Sequence, residues 1–208
     1  MIWSIGYTAL GMAPDSLPEP IAVAALVAGS LTRLGVSYVI GGSFASSVHG
    51  EPRSTNDIDM VADLHQGDID AFISAIGAEC YVSRDAFVEA VKVGGAFNVI
   101  HKPTAVKVDI FVAASDAFDR ERLTRRIPVV FSDDDDSVTL FVDTAEDTIL
   151  RKLEWYRRGG ESSERQWRDV TAIVNAQASR LDRAHLRAWA TRLGVEDLLA
   201  RALGDQDL

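Results

Sequence analysis

The chain has 208 residues and a formal net charge of −10, with 47% of its residues hydrophobic and 25% charged. That length suffices for a buried core, and so ordinary a composition excludes a largely disordered or fibrous chain. The negative balance excludes a broad basic surface for non-specific DNA binding, and the single cysteine, Cys80, excludes an intramolecular disulfide.

Pro14, Pro18 and Pro20 interrupt the start of the chain and no basic leader precedes them. Segment 1–20 is therefore expected to be loose rather than a targeting helix. Residues 21–34, rich in Ala and Leu and followed by Gly35, predict a helix. Ser30, Thr32 and Arg33 make that helix a packed one rather than a membrane span, and a cytoplasmic, membrane-free protein is expected. Residues 37–40 predict a buried strand, stopped by Gly41-Gly42, with a helix opening at Ser43. A polar loop over 50–56 leads to a second strand over 57–62. Helices follow over 68–76 and 86–93, then strands over 96–100 and 106–112 separated by a turn at Lys102-Pro103-Thr104.

Residues 127–131 and 137–142 predict a hairpin around Asp133-Asp134-Asp135-Asp136. Four adjacent aspartates repel one another and diverge on a tight turn, so they read as solvated rather than metal-binding. Arg120, Arg122, Arg125 and Arg126 likewise read as a solvated helix face. From Thr144 the pattern becomes long amphipathic helices, the first opened by Thr144 with Asp147 three residues on. Gly159-Gly160 ends it, Ser162 or Ser163 opens the next, and Asp182 caps a third carrying Leu186, Trp189 and Leu193. Trp155, Tyr156 and Trp167 on these helices read either as rings for stacking on a base or as core, and are expected to fill the core between the two parts. The fold class is α/β (α+β), a mixed sheet flanked by helices over 21–143, followed by a helical subdomain over 144–208.

The chemistry concentrates in three places. In Asp57-Ile58-Asp59 the two carboxylates share one face of a strand, about 6.5 to 7 Å apart at their roots, while Ile58 faces the core. Two carboxylates held together repel unless a cation joins them, and an all-oxygen set suits magnesium. In the strand over 106–112, Asp109 lies with Lys107 and Phe111 on the face opposite the valines and Ile110, where it needs a partner of its own. At Gly41-Gly42-Ser43, glycine lets the backbone approach a ligand, and the N–H groups opening a helix favour phosphate. Arg53, four residues before Asp57, reads either as a phosphate ligand or as a brace for its loop. His49 reads as a loop anchor.

These residues, GGSFASSVHGEPRSTNDIDMVADL together with VKVDIF, resemble the polymerase-β-like nucleotidyltransferase superfamily. Within it the chain is similar to the bacterial AbiEii-type toxins. The resemblance implies that Gly41, Gly42 and Ser43 bind a nucleoside triphosphate, that Asp57 and Asp59 hold magnesium, two ions during turnover, and that Asp109 completes the metal site or activates the acceptor. It further implies nucleotide support from Lys152 and Asp169 on the C-terminal helices. The function so implied is transfer of a nucleoside monophosphate to a hydroxyl on RNA or protein, in a toxin–antitoxin or defence setting, with a cognate antitoxin as partner. A small-molecule, aminoglycoside-type transferase and a non-catalytic nucleotide-binding protein are the alternatives.

Overall fold

The computed structural model describes residues 3–6, 19–113, 116–132 and 137–204. Eight strands build one mixed sheet in the order β1-β7-β8-β2-β3-β6-β5-β4. They are β1 (Trp3–Gly6), β2 (Tyr38–Ile40), β3 (Asp57–Ala62), β4 (Cys80–Val82), β5 (Ala96–His101), β6 (Lys107–Val112), β7 (Ile127–Ser132) and β8 (Ser137–Val142). At the centre β3 runs antiparallel to β2 and parallel to β6, and that parallel register sets Asp59 directly beside Asp109.

Alternation along the strands gives the two faces different tasks. Ile58, Met60, Val108 and Ile110 point to one face and are buried with Phe72, Phe87 and Phe97 beneath α1 (Glu19–Arg33), α3 (Ile69–Ile76) and α4 (Arg84–Val93). The opposite face carries Asp57, Asp59, Lys107 and Asp109 at one end of β3 and β6. At the other end Val39, Val61 and Phe111 pack on Leu123 of α5 (Ala117–Arg125). The functional end of that face is therefore left open to polar chemistry by the same period of two that buries its reverse.

A separate apolar cluster joins Phe118 of α5 to α6 (Ala145–Arg158), α7 (Glu164–Gln177), α8 (Arg183–Leu193) and α9 (Glu196–Leu203). The starts of these helices are set locally: Thr144 Oγ1 accepts from the Asp147 N–H at 3.1 Å, Ser163 caps α7 and Asp182 caps α8. Such a cap is worth about 1 kcal/mol. No helix among the described residues is long and apolar enough to cross a membrane.

Two expectations change. Trp3–Gly6, inside the segment read as loose, forms a strand parallel to β7, extending the sheet at an edge that hairpin pairing alone would leave open. Arg122, read as part of a solvated helix face, is buried, because Asp143 at the end of β8 receives it. The hairpin of β7 and β8 forms as expected, while its aspartate turn, 133–136, lies outside the described residues.

Candidate active site

α2 (Gly42–His49) begins where β2 ends, and its first residues approach β3 closely. Gly41 donates its N–H to the Asp59 carbonyl at 2.9 Å. Gly42 has φ +57°, and a Cβ there would collide with the Asp59 carboxylate, its Cγ lying 2.7 Å away. A Cβ on Gly41 would in turn meet Arg122 Nη2 at 2.6 Å and Asp143 Oδ2 at 2.7 Å. Both glycines are thus required by close approach, one from the sheet side and one from α5.

Around Ser43 the structure gathers cations from distant parts of the chain. Arg53 Nη2 donates to Ser43 Oγ at 2.8 Å and to Asp169 Oδ2 at 2.9 Å. Lys152 Nζ donates to the same carboxylate oxygen at 2.7 Å. Arg165, which carries no local sequence signal, reaches Ser43 Oγ at 3.3 Å. Burial alone would raise the Asp169 carboxyl, but Lys152 and then Arg53 outweigh it and hold it below the usual carboxylate range. Burial pushes the Lys152 ammonium down, against the pull of Asp169. Asp169 therefore keeps two cations together beside the start of α2.

Asp57, Asp59 and Asp109 lie on the adjoining strands β3 and β6, with Asp59 beside Asp109. Burial, then the charges of Asp109 and Asp57, push the Asp59 carboxyl up, with Lys152 and Lys107 pulling the other way. Asp109 Oδ2 is held by Lys107 Nζ at 2.8 Å, and its other oxygen accepts from Asn98 on β5. The hydrogen bond to Asp109 raises the Lys107 pKa, with the charges of Asp57 and Asp59 adding to it. Among the described residues no three carboxylate, imidazole or thiolate groups converge as a formed metal-ligand cluster. The donor set nonetheless fits a hard divalent ion, since it is all oxygen and its central member is short of positive charge.

Gly42, Ser43, Asp59 and Lys152 open onto one cavity of about 720 Å³. Asp116, Asp119, Arg122, Arg151 and Trp155 line the same cavity. Arg122 binds Asp143 through two hydrogen bonds, at 3.0 and 2.6 Å, and reaches Asp119 at 2.6 Å. Asp119 passes the contact on to Arg151 at 2.5 Å. His49 is a buried anchor, its Nε2 2.6 Å from the Asp143 carbonyl, and burial lowers its pKa, so the neutral ring donates there. Cys80 is buried away from the cavity, and burial pushes its thiol up, the opposite of an activated nucleophile.

The fold these elements define is that of the nucleotidyltransferases. No family model and no curated protein matches the chain, whereas solved structures do. ANT(2")-Ia in complex with adenylyl-2"-tobramycin superposes with a TM-score of 0.51 at 8% identity, over 84% of this chain and 99% of that one. An antigenic nucleotidyltransferase-like protein from Paracoccidioides brasiliensis gives 0.46 at 18% identity, over 92% and 94%. A CCA-adding enzyme in complex with ATP gives 0.39 at 13% identity, over 85% of this chain and 48% of that chain. At such identities the likeness is one of fold.

Proposed function

We propose that the protein is a magnesium-dependent nucleotidyltransferase that moves a nucleoside monophosphate from a nucleoside triphosphate to a hydroxyl acceptor. One observation carries this reading: Asp59, in register with Asp109, abuts Gly42, and Asp59 lines one cavity together with the cation-flanked helix start at Gly42 and Ser43.

Ser43 Oγ accepts hydrogen bonds from both Arg53 and Arg165, which leaves its own proton to be donated to a phosphate oxygen. The N–H groups of the first turn of α2 and the positive end of its dipole favour the same anion. Arg53 and Lys152, both hydrogen-bonded to Asp169, add contacts to the β and γ phosphates. Asp57, Asp59 and Asp109 would hold magnesium, two ions in turnover, which when bound supplies charge neutralisation at the attacking and leaving oxygens. In the strand order β2-β3-β6-β5, Asp109 lies on the side of Asp59 away from the glycine turn, so the acceptor hydroxyl approaches from that side with Asp109 as its hydrogen-bond partner. Attack on the α phosphorus forms the new phosphodiester, and pyrophosphate departs toward Ser43.

The resemblance to AbiEii-type toxins supports an RNA or protein hydroxyl as acceptor and a cognate antitoxin as partner. A second reading, a small cationic acceptor, draws on Asp116 and Asp119 in the cavity wall. Incubation with magnesium, each α-labelled triphosphate and whole-cell extract decides between them by the fraction that carries label. Label should vanish with Asp57→Ala and Asp59→Ala in folded protein, and transfer persisting at the wild-type rate in either variant would sink the assignment. Nucleotide binding with no pyrophosphate released in any extract would identify a non-catalytic binding protein instead.

A further inference from the structure

We infer that Trp155 is the stacking surface for the base of the bound nucleoside triphosphate, an inference that rests on the nucleotidyltransferase reading above. The sequence pattern assigns Trp155, with Tyr156 and Trp167, to the core between the sheet and the C-terminal helices. The structure separates the three. Tyr156 and Trp167 pack together, their ring centroids 5.5 Å apart, and the Arg201 guanidinium lies 3.7 Å from the Trp167 centroid. Trp155 is 45% exposed and lines the cavity instead.

Its position on α6 explains the difference. Ile149, Leu153 and Tyr156 bury one side of the helix in the C-terminal core. Thr148, Arg151, Lys152 and Trp155, spaced by three and four residues, form the side that faces the cavity. An indole on this polar face has no core to enter. Large apolar side chains exposed among the described residues are Tyr81, Val93 and Trp155, and two of these three line the same cavity. Phe111 and Ala96 add apolar surface from the sheet. Exposed apolar groups concentrated at one cavity, rather than scattered, mark a place where a ligand covers them.

The chemistry of the covering group follows from the neighbours. The Arg158 guanidinium lies over the Trp155 ring, 5.4 Å from its centroid, and donates to Glu154 Oε1 at 2.6 Å, so a cation adjoins the indole within the cavity lining. A flat heteroaromatic ring is the partner that such an indole takes. Lys152 stands three residues earlier, about 4.5 Å along the helix axis, and belongs through Asp169 and Arg53 to the phosphate cradle at Ser43. One helix face thus offers a cation to the phosphates and a ring to the base. Stacking on an aromatic tolerates every base, so all four triphosphates are held, purines most strongly.

The test compares ATP, GTP, CTP, UTP and inorganic tripolyphosphate, each titrated with magnesium into the full chain by calorimetry. Trp155→Ala is expected to weaken the four nucleotides roughly tenfold or more and to leave tripolyphosphate unchanged, with Trp155→Phe restoring most of the loss. Equal nucleotide affinity in Trp155→Ala and wild type would overturn the stacking role alone. Equal weakening of nucleotides and tripolyphosphate would overturn it too, by showing that Trp155 merely supports the fold. Wild-type protein that binds neither nucleotide nor tripolyphosphate removes the nucleotidyltransferase reading itself.

Discussion

A side chain at Gly42 would occupy the space of the Asp59 carboxylate, so the turn that opens α2 and the central aspartate of β3 are fitted to one another. The backbone bond from Gly41 N–H to the Asp59 carbonyl fixes the same junction. Gly42→Ala meets two penalties. A left-handed φ costs a residue with Cβ about 1–2 kcal/mol, and Asp59 must swing away. Label transfer should fall by about two orders of magnitude, the scale on which a small misplacement of reacting groups acts, while the circular dichroism spectrum stays native. Transfer within a factor of two of wild type would show that the fit is incidental.

Behind that turn, Arg122 and Asp143 form a buried bidentate pair. Burial raises the Asp143 carboxyl, and the charge of Arg122 pulls it back, while Asp143 and Asp119 together overcome the burial that would lower the Arg122 pKa. The geometry is that of an ion pair. Removing one partner strands the other, a loss of about 3–5 kcal/mol. Arg122→Met should therefore lower the urea midpoint strongly, and the double variant Arg122→Met with Asp143→Leu should recover part of that loss. A double variant as unstable as the sum of the two single variants would mean that the two side chains do not act as a pair.

Asp169 gives a pH dependence of definite sign. Its carboxyl is depressed in the folded state, chiefly through Lys152 working against burial. A depressed carboxylate stabilises the fold above its unfolded pKa of about 3.9, and the contribution is lost as pH falls through the lower folded value. The difference in Tm between wild type and Asp169→Asn should thus be full at neutral pH and shrink below about pH 4. A difference that does not change between neutral pH and pH 3 would contradict the pairing with Lys152 and Arg53.

What the sequence made legible was local. The period of two places Asp57 and Asp59 on one face of β3 and Asp109 on the face of β6 opposite its valines, while the parallel register of those strands is what brings Asp59 and Asp109 side by side. Helix starts at Thr144, Ser163 and Asp182 were readable because a cap is written within four residues. The contacts that escaped are long-range. Arg165 touches Ser43 across 122 positions, and nothing beside it in the chain announces that partner. Arg122 looked solvated because its carboxylate lies 21 residues further on, at the end of a strand. β4 is three residues long, too short for a period to show. The region 117–125 is so polar that only its packing through Phe118 and Leu123 marks it as a helix of the core.

Lys107 supplies the last prediction. Its ammonium sits 2.8 Å from Asp109 and within the field of Asp57 and Asp59, where it pulls against the burial and the neighbouring carboxylates that push the Asp59 carboxyl up. Under the proposed reading, magnesium held by these aspartates would compete with Lys107 for the Asp109 carboxylate. Lys107→Ala removes the competitor and leaves the carboxylates with less positive charge. Two changes follow in opposite directions. Without metal the variant should melt at a lower temperature than wild type, because the repulsion among the three aspartates is no longer offset. With magnesium added it should gain more in Tm than wild type does, and half-saturation should come at a lower magnesium concentration, since binding to the native state alone raises stability with ligand concentration. Thermal scans across a magnesium series measure both at once. An unchanged or weakened response to magnesium in Lys107→Ala would mean that the ion does not use Asp109, and would leave that residue to the acceptor hydroxyl alone.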